Sequence, residues 1–292
     1  MKVLCFGSMN IDYVYPVDHI ILPGETEKTM GVSLSCGGKG LNQSVALSKA
    51  GVSVMHAGLV GEEGRILIDK CIENGVNTDH VHMIEGRCGH TIIQVDKKGN
   101  NSILLFGGAN RCITHDFVDE VISGFEKGDM IVLQNEINLL GYIIDKAYEK
   151  GMQIVLNPSP FNENLEECDL TKISYFLLNE IEGEQMSGKK DPDEMIREIH
   201  DKNPAAKIVL TLGEDGAIFF DGESTYRQSA FKVKAVDTTA AGDTFTGFFL
   251  ASVIRKMKPQ DGLEFASKAS SIAVTRPGAL DSIPTIDEVM RM

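Results

Sequence analysis

Gly37 to Val60, GGKGLNQSVALSKAGVSVMHAGLV, decides the fold: a glycine-rich turn, an apolar helical run over Lys39–Ala50, and a β-branched strand over Val52–Val60. The same alternation extends in both directions. Lys2–Gly7 reads as a strand, and Glu63–Asn74 as a helix closed by Gly75, a left-handed C-cap. Met130–Gln134 is a strand, Leu139–Lys150 a helix with Gly151 behind it, and Met152–Asn157 and Lys207–Leu212 are strands. Asp191-Pro192-Asp193-Glu194 is a helix start, with an Asx cap, proline in the first turn and an acid three residues on. Strands and helices alternating at this spacing predict an α/β chain whose mostly parallel sheet is covered on both faces. Ile11–Cys36 and Gly89–Phe106 break the pattern as short strands and turns, Asp96-Lys97-Lys98-Gly99-Asn100 being a hairpin turn. With no helices of their own, they predict a small side sheet, either a lid over a site or a dimer contact.

The chain has 292 residues, enough for one large α/β domain or two ordinary ones. Apolar residues make up 42% and charged residues 24%, within the range of a globular chain and outside that of a disordered one. Lys and Arg number 28 against 42 Asp and Glu, and a net charge of −14 argues against nucleic acid or an anionic membrane surface as a partner. No apolar stretch reaches the ~18 residues of a membrane span, and Met1–Gly7 turns polar too early for a secretory segment. The six cysteines are scattered without a C-x-x-C pair, which predicts reduced thiols and a cytoplasmic setting.

Several nucleotide and catalytic motifs are missing. Gly38-Lys39 is followed by Gly40 and position 33 is Ser, so there is no P-loop. No G-x-G-x-x-G follows the first strand, and kinase H-R-D and zincin H-E-x-x-H are absent. Three other segments are candidates. Asn10 and Asp12 leave the first strand two residues apart, sharing a side and offering donors and acceptors for sugar hydroxyls; the competing explanation is an Asx turn. Gly37, Gly38 and Gly40 let the backbone of that turn approach a ligand, the following helix start offers free N–H groups, and Asn42 both donates and accepts; a plain tight turn is the alternative. Asp237-Thr238-Thr239-Ala240-Ala241-Gly242-Asp243 opens a helical run through Ile254, an anion site with a carboxylate beside it; Asp243 merely favouring the helix dipole is the alternative.

In this order the three motifs resemble the ribokinase-like, or PfkB, family of ATP-dependent sugar kinases, and the resemblance runs from Gly7 to about Ser282. Asn157-Pro158-Ser159-Pro160, Asn179-Glu180-Ile181-Glu182, Thr211–Gly216 and Phe106–Asn110 are similar to further family segments. The resemblance implies a three-layer α/β/α domain over residues 1–292, with a small β-sheet lid from about 11–36 and 89–106. It implies Asp243 as catalytic base, with Ala241 and Gly242 supplying anion-hole amides. Asn10, Asp12, Gly38, Lys39, Gly40, Leu41, Asn42 and Glu136 would line the sugar site. Asn179, Thr211, Leu212, Gly213, Glu214, Asp215, Gly216, Gly242 and Ser267 would meet ATP. Glu182 would support the Mg²⁺ on its phosphates. Asp237, Thr239, Ala273, Arg276, Gly278 and Ser282 match a loop that holds a monovalent cation, K⁺, mostly through carbonyls. An Asp237–Arg276 ion pair is the plain alternative there.

Leu41 stands where family members usually carry Ala, Asn135 where an apolar residue is common, and Ser267 where a His is frequent. The implied reaction is phosphorylation of a primary hydroxyl, first O5 of D-ribose, in a homodimer joined through the lid. Deoxyribose, another pentose or a nucleoside is the second choice, and a sugar-binding protein without catalysis is the reading from a different class. That last reading leaves Asp243 and the Asn179–Glu182 pair unexplained.

Overall fold

A computed structural model describes residues 1–292. In chain order the amino-terminal half runs β1 (Val3–Phe6), β2 (Asn10–Pro16), β3 (Ser33–Gly37), α1 (Lys39–Lys49), β4 (Val54–Val60), α2 (Arg65–Glu73), β5 (Asn77–Met83), β6 (Gly89–Val95) and β7 (Asn101–Phe106). It continues with α3 (His115–Ser123), β8 (Met130–Gln134), α4 (Leu140–Glu149), β9 (Gln153–Asn157), β10 (Tyr175–Asn179), α5 (Glu180–Ser187), α6 (Pro192–Lys202) and β11 (Lys207–Thr211). The chain closes with β12 (Ala217–Phe220), β13 (Thr225–Gln228), α7 (Ala241–Ile254), α8 (Pro259–Ala273) and α9 (Ile286–Arg291).

Nine strands form one sheet in the order β13-β12-β11-β10-β9-β8-β1-β4-β5, parallel throughout except at β12 and β13. The alternation of β1 shows why the sheet is covered twice. Val3 and Cys5 point into one core with Val45, Phe245 and Phe248 from α1 and α7; Leu4 and Phe6 point into the other with Val118, Ile144 and Ile199 from α3, α4 and α6. The α/β/α layering expected from the strand–helix alternation is therefore present. Gly75 has φ +74° behind α2, and the Asp191 side chain caps α6 on the N–H groups of Asp193 and Glu194.

Some boundaries differ from the sequence reading. α2 starts at Arg65 rather than Glu63, and β4 at Val54 rather than Val52. Strand β5, NTDHVHM, was not legible at all: it is an edge strand without buried residues, so selection for burial left no apolar alternation in it.

The remaining four strands form a separate sheet, β3-β2-β6-β7. It is mixed: β2 pairs antiparallel with β3 and parallel with β6, which pairs antiparallel with β7 across the Asp96–Asn100 turn. Residues 17–32, between β2 and β3, contribute no strand. Only three residues separate β1 from β2, so the small sheet is attached directly beyond the carboxyl end of β1. In open parallel sheets that edge is where ligands bind.

Candidate functional site

Two helix N-termini meet at that edge. α1 begins after Gly38, whose φ of +94° a side chain would strain, and α7 begins after Ala240, at φ +58°. Neither N-cap residue supplies a side-chain cap. At α1 the N–H groups of Lys39, Gly40 and Leu41 are taken by Glu136 and Ser8, whereas at α7 those of Gly242 and Asp243 have no protein partner and are left for a ligand. The helices cross closely because Gly247 has no side chain: a Cβ there would lie 2.4 Å from Ala46 Cβ and 2.7 Å from its carbonyl carbon. This approach delivers two amides from α1 to Asp243. Asn42 Nδ2 donates to Oδ2 at 2.9 Å and Gln43 Nε2 to Oδ1 at 2.9 Å. Both bonds are buried, and the Oδ1 of Asn42 has no protein partner.

Around Asp243 lies a cavity of about 220 Å³, lined by Lys39, Asn157, Asn179, Glu182, Thr211, Thr238, Ala240, Ala241 and Gly242 among others. Burial works against the Lys39 ammonium, but the carboxylates of Asp243, Glu136 and Glu182 outweigh it and hold its pKa above the ordinary lysine value. The Asn179–Glu182 motif is also a capping box: Glu182 N–H donates to Asn179 Oδ1 at 2.9 Å, and Asn179 N–H to Glu182 Oε2 at 3.0 Å. Its buried carboxylate still faces the cavity.

A second cavity, about 130 Å³, is lined by Asn10, Leu105, Gly107, Asn110, Arg111 and Glu136, that is, by the small sheet on one side and the large sheet's edge on the other. The two adjoin where Lys39 N–H donates to Glu136 Oε2 at 3.0 Å. Ser8 binds the same carboxylate oxygen through its hydroxyl and accepts from Gly40 N–H, tying the first and second motifs together. Asn10 Oδ1 accepts from Asn110 Nδ2 at 2.8 Å. Asp12 accepts from Thr91 Oγ1 at 2.5 Å, and a Cβ on Gly37 would strike Asp12 Oδ2, so Gly37 makes room for that carboxylate. Burial raises the Asp12 pKa above the usual carboxylate range, opposed by the Thr91 hydrogen bond and assisted by the charge of Glu136.

Not every expected residue joins these cavities; Asp12, Gly38, Gly40 and Asn42 line neither. Leu41 is fully buried in the apolar core and lines neither, so its bulk faces away from the sugar cavity, contrary to the expectation placed on it. Of Thr211–Gly216 only Thr211 reaches the larger cavity; Leu212–Gly216 form the turn behind it, with Gly213 and Gly216 at positive φ. Ser267 is buried on α8 and lines neither cavity.

Asp237 gathers its own partners. Oδ1 accepts from the N–H and hydroxyl of Thr239, and Oδ2 from Gly278 N–H at 2.9 Å. Burial would raise its pKa, but these hydrogen bonds prevail and lower it. Arg276 turns the other way, onto Glu288 at 2.6 Å, so the Asp237–Arg276 ion pair does not form. Ser282 Oγ donates to Ala279 O, and Ala273 is buried in α8.

Gln43, Ser8, Asn110, Thr91, Gln134 and Gly247 were missing from the site residues read from the sequence. Gln43 lies in the glycine-rich stretch, Ser8 just ahead of Asn10, and Asn110 at the end of the Phe106–Asn110 segment; Thr91, Gln134 and Gly247 carry no local signal, because their partners are far away in the chain. No three His, Cys, Asp or Glu side chains cluster as a metal cage, and no helix is long and apolar enough to cross a membrane.

A buried acid held by amides at a helix N-terminus, beside a lysine and a second acid, on a doubly covered parallel sheet, defines a phosphoryl-transfer site of the sugar-kinase kind. The profile described as pfkB family carbohydrate kinase matches residues 1–286, and the chain belongs to that family. It is an ATP-dependent carbohydrate kinase. It is 32% identical over 294 residues to a ribokinase of Haemophilus influenzae, covering 97% of this chain and 95% of that protein. To a deoxyribokinase of Salmonella typhi it is 30% identical over 300 residues, covering 99% and 97%. The structure of Arabidopsis thaliana ribokinase complexed with ribose and ATP superposes with a TM-score of 0.86 at 25% identity, covering 99% of this chain and 97% of that one.

Proposed function

We propose that this kinase transfers the γ-phosphoryl group of ATP to a primary hydroxyl, O5 of D-ribose, giving D-ribose 5-phosphate. The observation that carries the reading is Asp243. It lies at the first turn of α7, is oriented through both oxygens by α1, and shares one cavity with Lys39, Asn179 and Glu182. Asp243 takes the proton of the acceptor hydroxyl, and no strong base is needed because in a loose transition state that proton leaves late. The amides of Ala241 and Gly242 and the Lys39 ammonium stabilise charge on the transferring group. Asn10, Asp12, Gly38, Gly40, Asn42 and Glu136 hold the sugar, Asn10 and Glu136 from the wall of the smaller cavity. The small sheet acts as the lid, since it forms one wall of the cavity that takes the sugar.

Asn179, Thr211 and the turn through Gly216 meet the nucleotide, with Ser267 behind them. Mg²⁺ fits this chain as an ion arriving on the phosphates, because Glu182 and Asn179 can support it and no full cage exists. Held there directly or through water, the ion would neutralise phosphate charge. K⁺ is assigned to the loop of Asp237, Thr239, Ala273, Arg276, Gly278 and Ser282, mostly through carbonyls. The support is the Asp237 carboxylate, which draws Thr239 and Gly278 together four residues before Ala241.

A coupled assay over D-ribose, deoxyribose, fructose and nucleosides tests the acceptor. D-Ribose with the highest kcat/KM is the expected result, and a several-fold fall in kcat when K⁺ is replaced by tetramethylammonium at constant ionic strength supports the cation. A nucleoside or deoxyribose preferred over ribose overturns the substrate, and equal turnover in both salts removes the K⁺.

A further inference from the structure

Beyond Asp243 lies a chain of buried amides. Gln43 Nε2 donates to Asp243 Oδ1, and Gln134, the last residue of β8, donates from Nε2 to Gln43 Oε1 at 2.7 Å. Gln134 Nε2 also faces Cys5 Sγ at 3.6 Å, while its Oε1 has no partner. Both glutamines are essentially inaccessible to solvent. Room for Gln134 depends on Gly7, where a Cβ would lie 2.1 Å from its Oε1.

The direction of this chain follows from the acid at its end. An ionised carboxylate only accepts hydrogen bonds, so Gln43 must turn its NH₂ to Asp243, leaving its carbonyl toward β8. A side chain meeting that carbonyl must donate, and the Gln134 NH₂ does. A flipped Gln43 would set carbonyl oxygen against carboxylate oxygen at one end and NH₂ against NH₂ at the other. With Gln43 on Oδ1 and Asn42 on Oδ2, the carboxylate plane is fixed, and with it the lone pairs left free for a hydroxyl.

We infer that Gln43 and Gln134 are positioning residues of the phosphoryl transfer, a two-amide relay from the sheet that fixes the orientation in which Asp243 meets the acceptor hydroxyl. The inference rests on the reading of Asp243 as the base. A bland packing role would explain two buried glutamines, but not a donor–acceptor order in which each member is dictated by the one before it. It would also leave unexplained why Gln134 keeps an unpartnered oxygen against Gly7, a cost that a hydrocarbon of the same shape would avoid.

The test uses two variants of the whole enzyme, with Asp243→Asn in parallel. Gln43→Met removes the donor to Oδ1. The ionised carboxylate loses a stabilising hydrogen bond, so the acid limb of the kcat–pH profile moves to higher pH. Misorientation lowers kcat by ~10- to 10²-fold, while ADP binding by calorimetry stays unchanged. Gln134→Glu is isosteric. Protonated, it still donates to Gln43 Oε1; ionised, it only accepts and pulls the Gln43 NH₂ off Asp243. Its kcat therefore gains a fall with rising pH that the wild type lacks.

Other titratable groups facing the network are Cys5 on β1, His56 on β4, Lys39 on α1, Glu182 on α5 and Glu136 beyond β8. Burial pushes Cys5 up to about 11 and His56 down to about 4, so neither changes charge near neutrality. Lys39, Glu136 and Glu182 are common to every variant. Melting temperature reports folding, and Gln134→Glu decides alone if Gln43→Met does not fold. Wild-type pH profiles in the folded variants, with Asp243→Asn inactive, overturn the relay and leave the base standing. Full turnover by Asp243→Asn overturns the base itself.

Discussion

Lys39 and His56 are both withdrawn from water, yet they end in opposite protonation states. Lys39 has three carboxylates around it and stays charged. His56 has no charged partner: the Ser44 hydroxyl lies 2.7 Å from Nδ1, and burial, only partly opposed by the Gly7 backbone, pushes its pKa down to about 4. The sign of its effect on stability follows. From about pH 6.5, where the unfolded chain begins to protonate this histidine, down to about 4, the unfolded state holds a proton the folded state lacks. Stability is therefore full above the unfolded value and falls as pH drops, by up to ~1.4 kcal/mol per unit for this one group. His56→Gln should lose less stability between pH 7 and pH 5 than the wild type, as read by urea unfolding. Equal losses would remove His56 from the acid sensitivity.

At the scale of elements, the crossing of α1 over α7 and the faces of the small sheet matter most. The crossing depends on Gly247, one missing side chain that brings Asn42 and Gln43 to Asp243, about 200 residues away in sequence. The small sheet poses a different problem. All of β7 is exposed, and Ile103, Leu104, Leu105 and Phe106 add to Ile92 on the adjacent β6 and Leu34 on β3 at the other edge. Leu105 faces the smaller cavity, but sugar alone cannot cover both faces of this strand. An apolar surface of this kind marks an interface, and two copies pairing their small sheets about a twofold axis would cover it. We expect a homodimer through the lid. Sedimentation at micromolar protein should show twice the 31.9 kDa of the chain, and Leu104→Glu should return it to monomer; a wild type sedimenting only as monomer contradicts the interface.

Across the whole molecule, what was legible in the sequence is what local chemistry writes there. Buried parallel strands show as apolar runs such as Met130–Leu133, Gly75 marks a helix end by backbone geometry and Asp191 another by its side-chain cap. Asp243, Asn42 and Glu182 sit in glycine-rich or capping contexts that show in the linear chain. What was not legible depends on tertiary approach. Edge strand β5 buries nothing, Gln134 reads as one more strand residue, and Arg276 chooses Glu288 over Asp237 only because α9 packs nearby. Leu41 was misread for the same reason: it follows the glycine-rich turn closely, but its side chain packs into the core.

Held by these distant segments, Asp243 is the proposed acceptor of the sugar's proton. Asp243→Asn tests this role most directly, since the amide keeps the shape but cannot take a proton. Single-turnover phosphoryl transfer should be measured beside calorimetric binding of sugar and of ADP. In this variant kcat should fall by at least ~10²–10⁴-fold while both ligands still bind; a variant that binds both and turns over near the wild-type rate would rule Asp243 out as the base.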